Sequence, residues 1–217
     1  MKEKGILFTP ENIRSIMSGR KTQTRRILKG SLEFKGPYNP KYLEAHKDSP
    51  GWKKICPYGE PGDRLYVKEG FGIGGARLID PTVNYRADGG QKPLIGHASP
   101  DTWSIAGNRH EVNDADLLAV KDGWISALFM PKWAARTWLK LTDVRIERLQ
   151  DISEEDALAE GPGGGAKYLG CYDQTSTYWK LPAPIANFGR LWDEINGKTH
   201  PWSSNPWVWV LDFRRVK

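Results

Sequence analysis

Cysteine and histidine are scarce in this chain. The two cysteines, Cys56 and Cys171, stand far apart with no Cys-x-x-Cys, and the four histidines, His46, His97, His110 and His200, are scattered. Such spacing encodes neither a disulfide framework nor a zinc site, so chemistry without a metal or cofactor is the expectation. Long apolar runs are also missing. Nothing approaches the ~20 residues of a membrane helix. The N-terminal Met-Lys-Glu-Lys-Gly lacks the apolar core of a signal peptide, which predicts a cytoplasmic protein with no membrane partner. Nucleotide motifs fail as well. Gly19-Arg20-Lys21-Thr22 places an arginine between glycine and lysine and has no glycine five positions earlier, so it is no P-loop. Gly70, Gly72 and Gly75 satisfy GxGxxG, but no helical pattern follows and Pro81 interrupts.

What is present is a globular composition with a basic bias. The chain has 217 residues, 39% of them hydrophobic and ten of them tryptophan, enough for a real core. Its net charge of +6 favours a polyanionic partner or substrate such as nucleic acid.

The densest basic stretch is Gly19-Arg-Lys-Thr-Gln-Thr-Arg-Arg26. Before it, Ile6 to Phe8 reads as a strand, Thr9-Pro10 as a helix start, and Ile13, Ile16 and Met17 as one helical face that Gly19 ends. Residues 22–27 then predict a strand with Thr22, Thr24 and Arg26 on one face and Gln23 and Arg25 on the other. Strict alternation separates Lys21 from Thr24 unless Lys21 belongs to the turn.

Further along, residues 30–58 read as an inserted surface loop. Gly59-Glu-Pro-Gly-Asp63 is a turn, and Arg64 to Glu69 a strand with Leu65 and Val67 facing a core. Residues 76–124 are loop-rich, with 84–88 as a strand-like island and 114–120 as one or two helical turns. Phe129-Met-Pro-Lys-Trp-Ala-Ala-Arg136 joins aromatic to basic residues, a pattern for stacking a base and holding a phosphate, although core packing is the commoner use of a tryptophan such as Trp133. Residues 137–146 predict a strand. Ser153-Glu-Glu-Asp156 is a capping box, and Gly161 closes the short helix it opens. Glu160 is left in the last turn, where the helix dipole disfavours a carboxylate unless a cation sits beside it. After a Gly- and Tyr-rich loop at 162–182, residues 184–196 predict a helix ended by Gly197. Trp207 to Phe213 is a strand apolar on both faces at first.

Together these elements predict an α+β fold, a small mixed β-barrel with short helices packed against it. The motif order resembles the ASCH family of the PUA-like superfamily. The resemblance rests on Gly-Arg-Lys-Thr-x-Thr-x-Arg after the first helix, Pro-Gly-Asp63-Arg-Leu before a strand, Ile152-Ser-x-x-x-Ala157-x-x-Glu160-Gly161, and a closing Trp-Val-x-x-Phe strand. The longer, often phage-encoded members are the most similar. It implies a single ASCH/PUA-like domain over 1–217, with insertions near 30–58, 72–124 and 162–182, whose pocket binds RNA or a modified nucleoside. In family members that hydrolyse N4-acetylcytidine, a Lys-x-x-Thr pair and a glutamate carry the reaction. These match Lys21, Thr24 and Glu160.

The implied roles have a physical basis. An amide needs a nucleophile, a proton acceptor and stabilisation of the oxyanion. Thr24 would attack, Lys21 would accept its proton or stabilise the oxyanion, and Glu160 would orient Lys21 or protonate the leaving amine. Arg26 would contact a phosphate or carbonyl, with Arg20, Arg25, Trp133 and Arg136 as further nucleic-acid contacts. A non-catalytic RNA-binding module is the alternative. Ribonuclease activity is a weaker third reading, for lack of a positioned histidine.

Overall fold

The computed structural model describes residues 1–28, 40–74, 82–93, 124–161, 178 and 180–216. The helical turns expected at 114–120 and most of the 162–182 loop lie outside these residues. In chain order the helices and strands are β1 (Glu3–Leu7), α1 (Pro10–Met17), β2 (Gln23–Ile27), α2 (Pro40–His46), α3 (Gly51–Ile55), β3 (Arg64–Lys68), β4 (Phe71–Gly74), β5 (Thr82–Tyr85), β6 (Gln91–Pro93), β7 (Trp138–Arg148), α4 (Glu154–Ala159), α5 (Ala183–Asn196) and β8 (Trp207–Arg215). The architecture is mixed α+β, with the strands in two sheets and mostly short helices. Among the described residues, no helix is long and apolar enough to cross a membrane. The chain forms two compact units, the first drawn from 1–2, 15–64 and 140–215 and the second from 3–14, 65–139 and 216–217.

In the first unit β8 lies between β7 and β2. β2 runs antiparallel to β8, with Gln23 opposite Asp212, Thr24 opposite Leu211, Arg25 opposite Val210 and Arg26 opposite Trp209. Because side chains alternate, Gln23 and Arg25 share a face with Val210, while Thr24 and Arg26 share the other with Trp209. Both faces of β8 are covered. Val208 and Val210 join Leu149, Ile152, Ala157, Phe188, Trp192 and Trp202 in one core cluster. On the opposite face Trp209 meets Trp52 of α3 edge-on, ring centroids 6.2 Å apart at 72°. This double burial is why the strand reads Trp-Val-Trp-Val-Leu.

The stretch 30–58 departs from its expectation as a surface loop. Its described part holds α2 and α3, and Leu43 and Trp52 are buried in the core. Helices of seven and five residues are too short for a 3.6-residue period to emerge. The Trp52 indole N–H is satisfied by the His46 carbonyl at 2.6 Å.

The turn at 59–63 is built around one carboxylate. Gly59 and Gly62 take φ of +125° and +99°, conformations that L side chains rarely adopt. Asp63 accepts the backbone N–H of Lys2 at 2.6 Å and of Glu60 at 3.1 Å. Those two bonds hold its carboxyl below the ordinary value of 3.8.

In the second unit β3 lies between β1 and β7. A separate antiparallel sheet has the order β4-β5-β6, with Phe71 opposite Tyr85 and Thr82 opposite Pro93. Phe71, Val83, Tyr85, Met130 and Ala134 form its core, with Ile125 and Trp133 packed on it. The expected single island at 84–88 is thus a strand at 82–85 with a partner on each side. Gly70 and Gly72 of the GxGxxG string sit before and inside β4, while Gly75 lies outside the described residues.

Replacing Trp52 by Ala should cost roughly 3–5 kcal/mol in stability, the usual range for emptying a buried tryptophan site. Urea unfolding at neutral pH measures this, and a loss below about 0.5 kcal/mol, the surface-substitution range, would mean that 40–58 lies outside the core.

Candidate functional site

The basic stretch is placed by the exit of α1. Gly19, at φ +77°, donates to the Ile16 carbonyl, and the N–H groups of both Arg20 and Lys21 reach the Ser15 carbonyl at 3.0 and 3.1 Å. The chain therefore turns sharply, and Lys21 belongs to the connection before β2. Thr22 is then held from both sides. Its N–H donates to the Ala159 carbonyl at 2.8 Å, and its carbonyl accepts from Phe213 at 2.9 Å.

Glu160 arrives from the other direction. Ser153 caps α4, its hydroxyl accepting from the Asp156 N–H at 3.1 Å, as its capping box predicts. The helix closes at Gly161, whose φ of +65° suits glycine. A Cβ on Gly161 would lie 2.8 Å from the Lys21 Cβ and 3.0 Å from its Cα, so only glycine allows the two backbones to come this close. Ser15 donates from its hydroxyl to the Gly161 carbonyl, fixing the approach.

These constraints bring Lys21 and Glu160 together. The Lys21 Nζ donates to the Glu160 Oε2 at 2.5 Å and to its backbone carbonyl at 2.8 Å. The side chains are only 2% and 5% exposed. The carboxylate at the disfavoured end of α4 thus has its cation. Burial pushes the Lys21 ammonium below its ordinary 10.5, Glu160 opposes that shift, and Arg26 and Arg25 add to it by repulsion. Desolvation is the largest of these causes.

Arg25 is enclosed. Its guanidinium meets Glu147 at 2.5 Å, Asp156 at 3.0 Å, Glu160 at 3.3 Å and the Gln23 amide oxygen at 2.5 Å, and stands 5.6 Å from the Phe188 ring. The side chain is 1% exposed, which leaves it no face for a phosphate. Asp156 and Asp212 extend the network, each accepting from both Gln23 and Arg145. Burial alone would raise the Asp156 carboxyl, but the Gln23 hydrogen bond and the charges of Arg145 and Arg25 hold it below 3.8.

The remaining candidates occupy different surroundings. Thr24 is buried on the β2 face opposite Gln23 and Arg25 and forms no side-chain hydrogen bond to Lys21 or Glu160. Arg26 shares its face. Burial lowers the Arg26 guanidinium from its ordinary value, against the attraction of Tyr58 and Glu160, and burial likewise raises the Tyr58 hydroxyl. Arg20 is exposed, its Nε donating to Ser18. Trp133 and Arg136 belong to the second unit. There Arg136 is held by Glu69 through two bonds of 2.9 Å and by Asp88, 4.0 Å from the Tyr85 ring. Trp133 is half-buried in the same unit's core.

Glu147, Gln23, Arg145, Asp212 and Tyr58 did not emerge from the sequence as site residues. Only Asp156 carried a visible signal, its place in the capping box. The others are ordinary strand or loop residues until folding brings them into the network around Arg25 or beside Arg26. Comparison of the chain with protein-family models, curated proteins and solved structures finds no match.

Removing one partner of a buried pair leaves a charge in a low-dielectric site. Glu160→Ala should therefore cost about 3–5 kcal/mol, and combining Glu160→Leu with Lys21→Met should recover most of it. Chemical denaturation reads both; a single-variant loss under about 1 kcal/mol, the median for exposed pairs, would contradict the desolvation of this one. Gly161→Ala is expected to destabilise by more than about 1 kcal/mol, being both crowded and at positive φ.

Proposed function

We propose that the first unit works as a PUA-like pocket that hydrolyses an amide on a modified base, N4-acetylcytidine being the prototype, either as a nucleoside or within RNA in the cytoplasm. The observation that carries this reading is the Lys21–Glu160 pair, a lysine with a lowered proton affinity held 2.5 Å from a buried carboxylate. Sites that move protons near neutral pH are built by such burial and pairing.

Thr24 Oγ attacks the acyl carbon, forming a C–O bond, and its proton passes to Lys21. Lys21 accepts it as the neutral amine, the form that burial favours, while Glu160 orients that amine through the 2.5 Å contact. Arg26, on the Thr24 face of β2, stabilises the oxyanion. The C–N bond then breaks as Lys21 returns a proton to the leaving amino nitrogen. Water hydrolyses the acyl-threonine ester, releasing the acid and restoring Thr24.

A non-catalytic RNA-binding module is the second reading; exposed Arg20 offers it a phosphate contact that Arg25, enclosed by carboxylates, does not. A network of that kind also serves simply to clamp α4 to β2.

Incubation with N4-acetylcytidine, followed by measurement of released cytidine, separates the two. Lys21→Ala and Thr24→Ala should each lower kcat/KM by about 100-fold or more, the scale of lost acid–base or nucleophilic assistance. The rate should fall as pH drops through the Lys21 pKa, below 10.5, because the protonated amine accepts nothing. Lys21→Arg should abolish that limb. No turnover by the folded wild type, or turnover indifferent to all three variants, rejects the proposal.

A further inference from the structure

The second unit contains a cleft of about 710 Å³, a volume typical of ligand sites. Four aromatic residues, Tyr66, Phe129, Trp133 and Trp138, line it together with three lysines, Lys68, Lys92 and Lys132, and among the described residues no carboxylate lines it. Glu3, which lies outside the lining, pairs with Lys132. Lys132 also stands 5.7 Å from the Trp138 ring centroid, and Tyr66 packs against Trp138 at 5.8 Å.

One wall is apolar and open to water. Phe129 is 72% exposed and Leu128 is 63% exposed, next to Met130, which is 2% exposed. This exposure belongs to a defined turn. Ala127–Phe129 forms a single 3-10 turn in which the Ser126 side chain accepts from the Leu128 N–H, and Met130 donates back to the Ala127 carbonyl. The Lys68 ammonium holds the turn from outside through the Leu128 carbonyl at 2.5 Å. The indole N–H of Trp133 is buried and has no acceptor among the described residues. A preformed turn that presents an aromatic ring to water forgoes hydrophobic burial unless something covers the ring.

We infer that this cleft binds single-stranded nucleic acid, one base stacking on Phe129 while the lysines meet the flanking phosphates. Rings give affinity because every unpaired base has a π-face, and cations along the same wall follow the backbone. A duplex keeps its bases stacked inside and offers this wall only phosphates. An acidic peptide would satisfy the lysines but leave the rings without planar partners. The inference extends the amide-hydrolysis reading to a second site but does not require it, since binding is measured without turnover.

Fluorescence anisotropy with a short labelled oligouridylate, its oligothymidylate counterpart and a duplex of equal length provides the test. Single strands should bind more tightly than the duplex, with affinity falling as salt rises; the better of the RNA and DNA arms names the sugar. Phe129→Ala should weaken binding roughly tenfold, and Lys132→Ala should flatten the slope of log affinity against log salt by about 0.7. Both side chains are largely exposed, so unchanged unfolding midpoints are expected and serve as the control. Wild-type binding that is absent, stronger for the duplex, or indifferent to both substitutions overturns the inference. Equal competition by an acidic peptide of the same length does so too.

Discussion

The first unit depends on a lysine and a glutamate taken out of water together. Neither charge is tolerable there alone, so the pair forms only if two backbones, one leaving α1 and one leaving α4, come close enough for their side chains to meet at 2.5 Å. Gly161 makes that approach possible, because any Cβ at its position would press on Lys21. Ser15 completes it, with its carbonyl receiving two N–H groups of the α1 exit and its hydroxyl donating across to Gly161.

Arg25 extends the same logic. It meets three carboxylates and a glutamine oxygen, so its enclosed cation ties α4 to β2 and β7 while sharing Glu160 with Lys21. A site assembled this way resists rearrangement, since moving one charge strands another. That rigidity suits a reaction dependent on short proton transfers, as in the proposed deacylation. It equally suits a structural clamp, and turnover tells the two apart. The second unit keeps its charges differently. Arg136 is consumed by Glu69 and Asp88, while the cleft lysines line a wall that, among the described residues, holds no carboxylate. One guanidinium there stabilises the unit, and the neighbouring cations line a surface.

Elements with a strong local signature were legible in the residues. The α1 exit at Gly19, the Ser153 cap, the β2 and β8 strands and the long α5 helix all follow from caps, glycine placement or periodicity, and all are found close to where those signals put them. The elements that were not legible are short. Among them, α2, α3 and β6 span three to seven residues, too few for a period to rise above composition, and Trp52 enters the core from a segment that looks like a loop. Charge patterning had the same limit. Arg20, Arg25 and Arg26 look alike in a basic run, yet one is exposed, one is enclosed by carboxylates and one is half-buried near Tyr58.

By itself the sequence determined local matters: where helices begin and end, which glycines must turn, which strand is buried on both faces, and that Glu160 at the end of its helix required a cation. Each follows from interactions within a few residues, or from the bare cost of an unpaired charge. Which cation answers Glu160, which arginine is enclosed, and that Phe129 stays in water beside three lysines were decided only by the tertiary structure. The physical reason is that desolvation and ion pairing depend on everything packed around a group, and residues 21 and 160 become neighbours only after the intervening chain has folded.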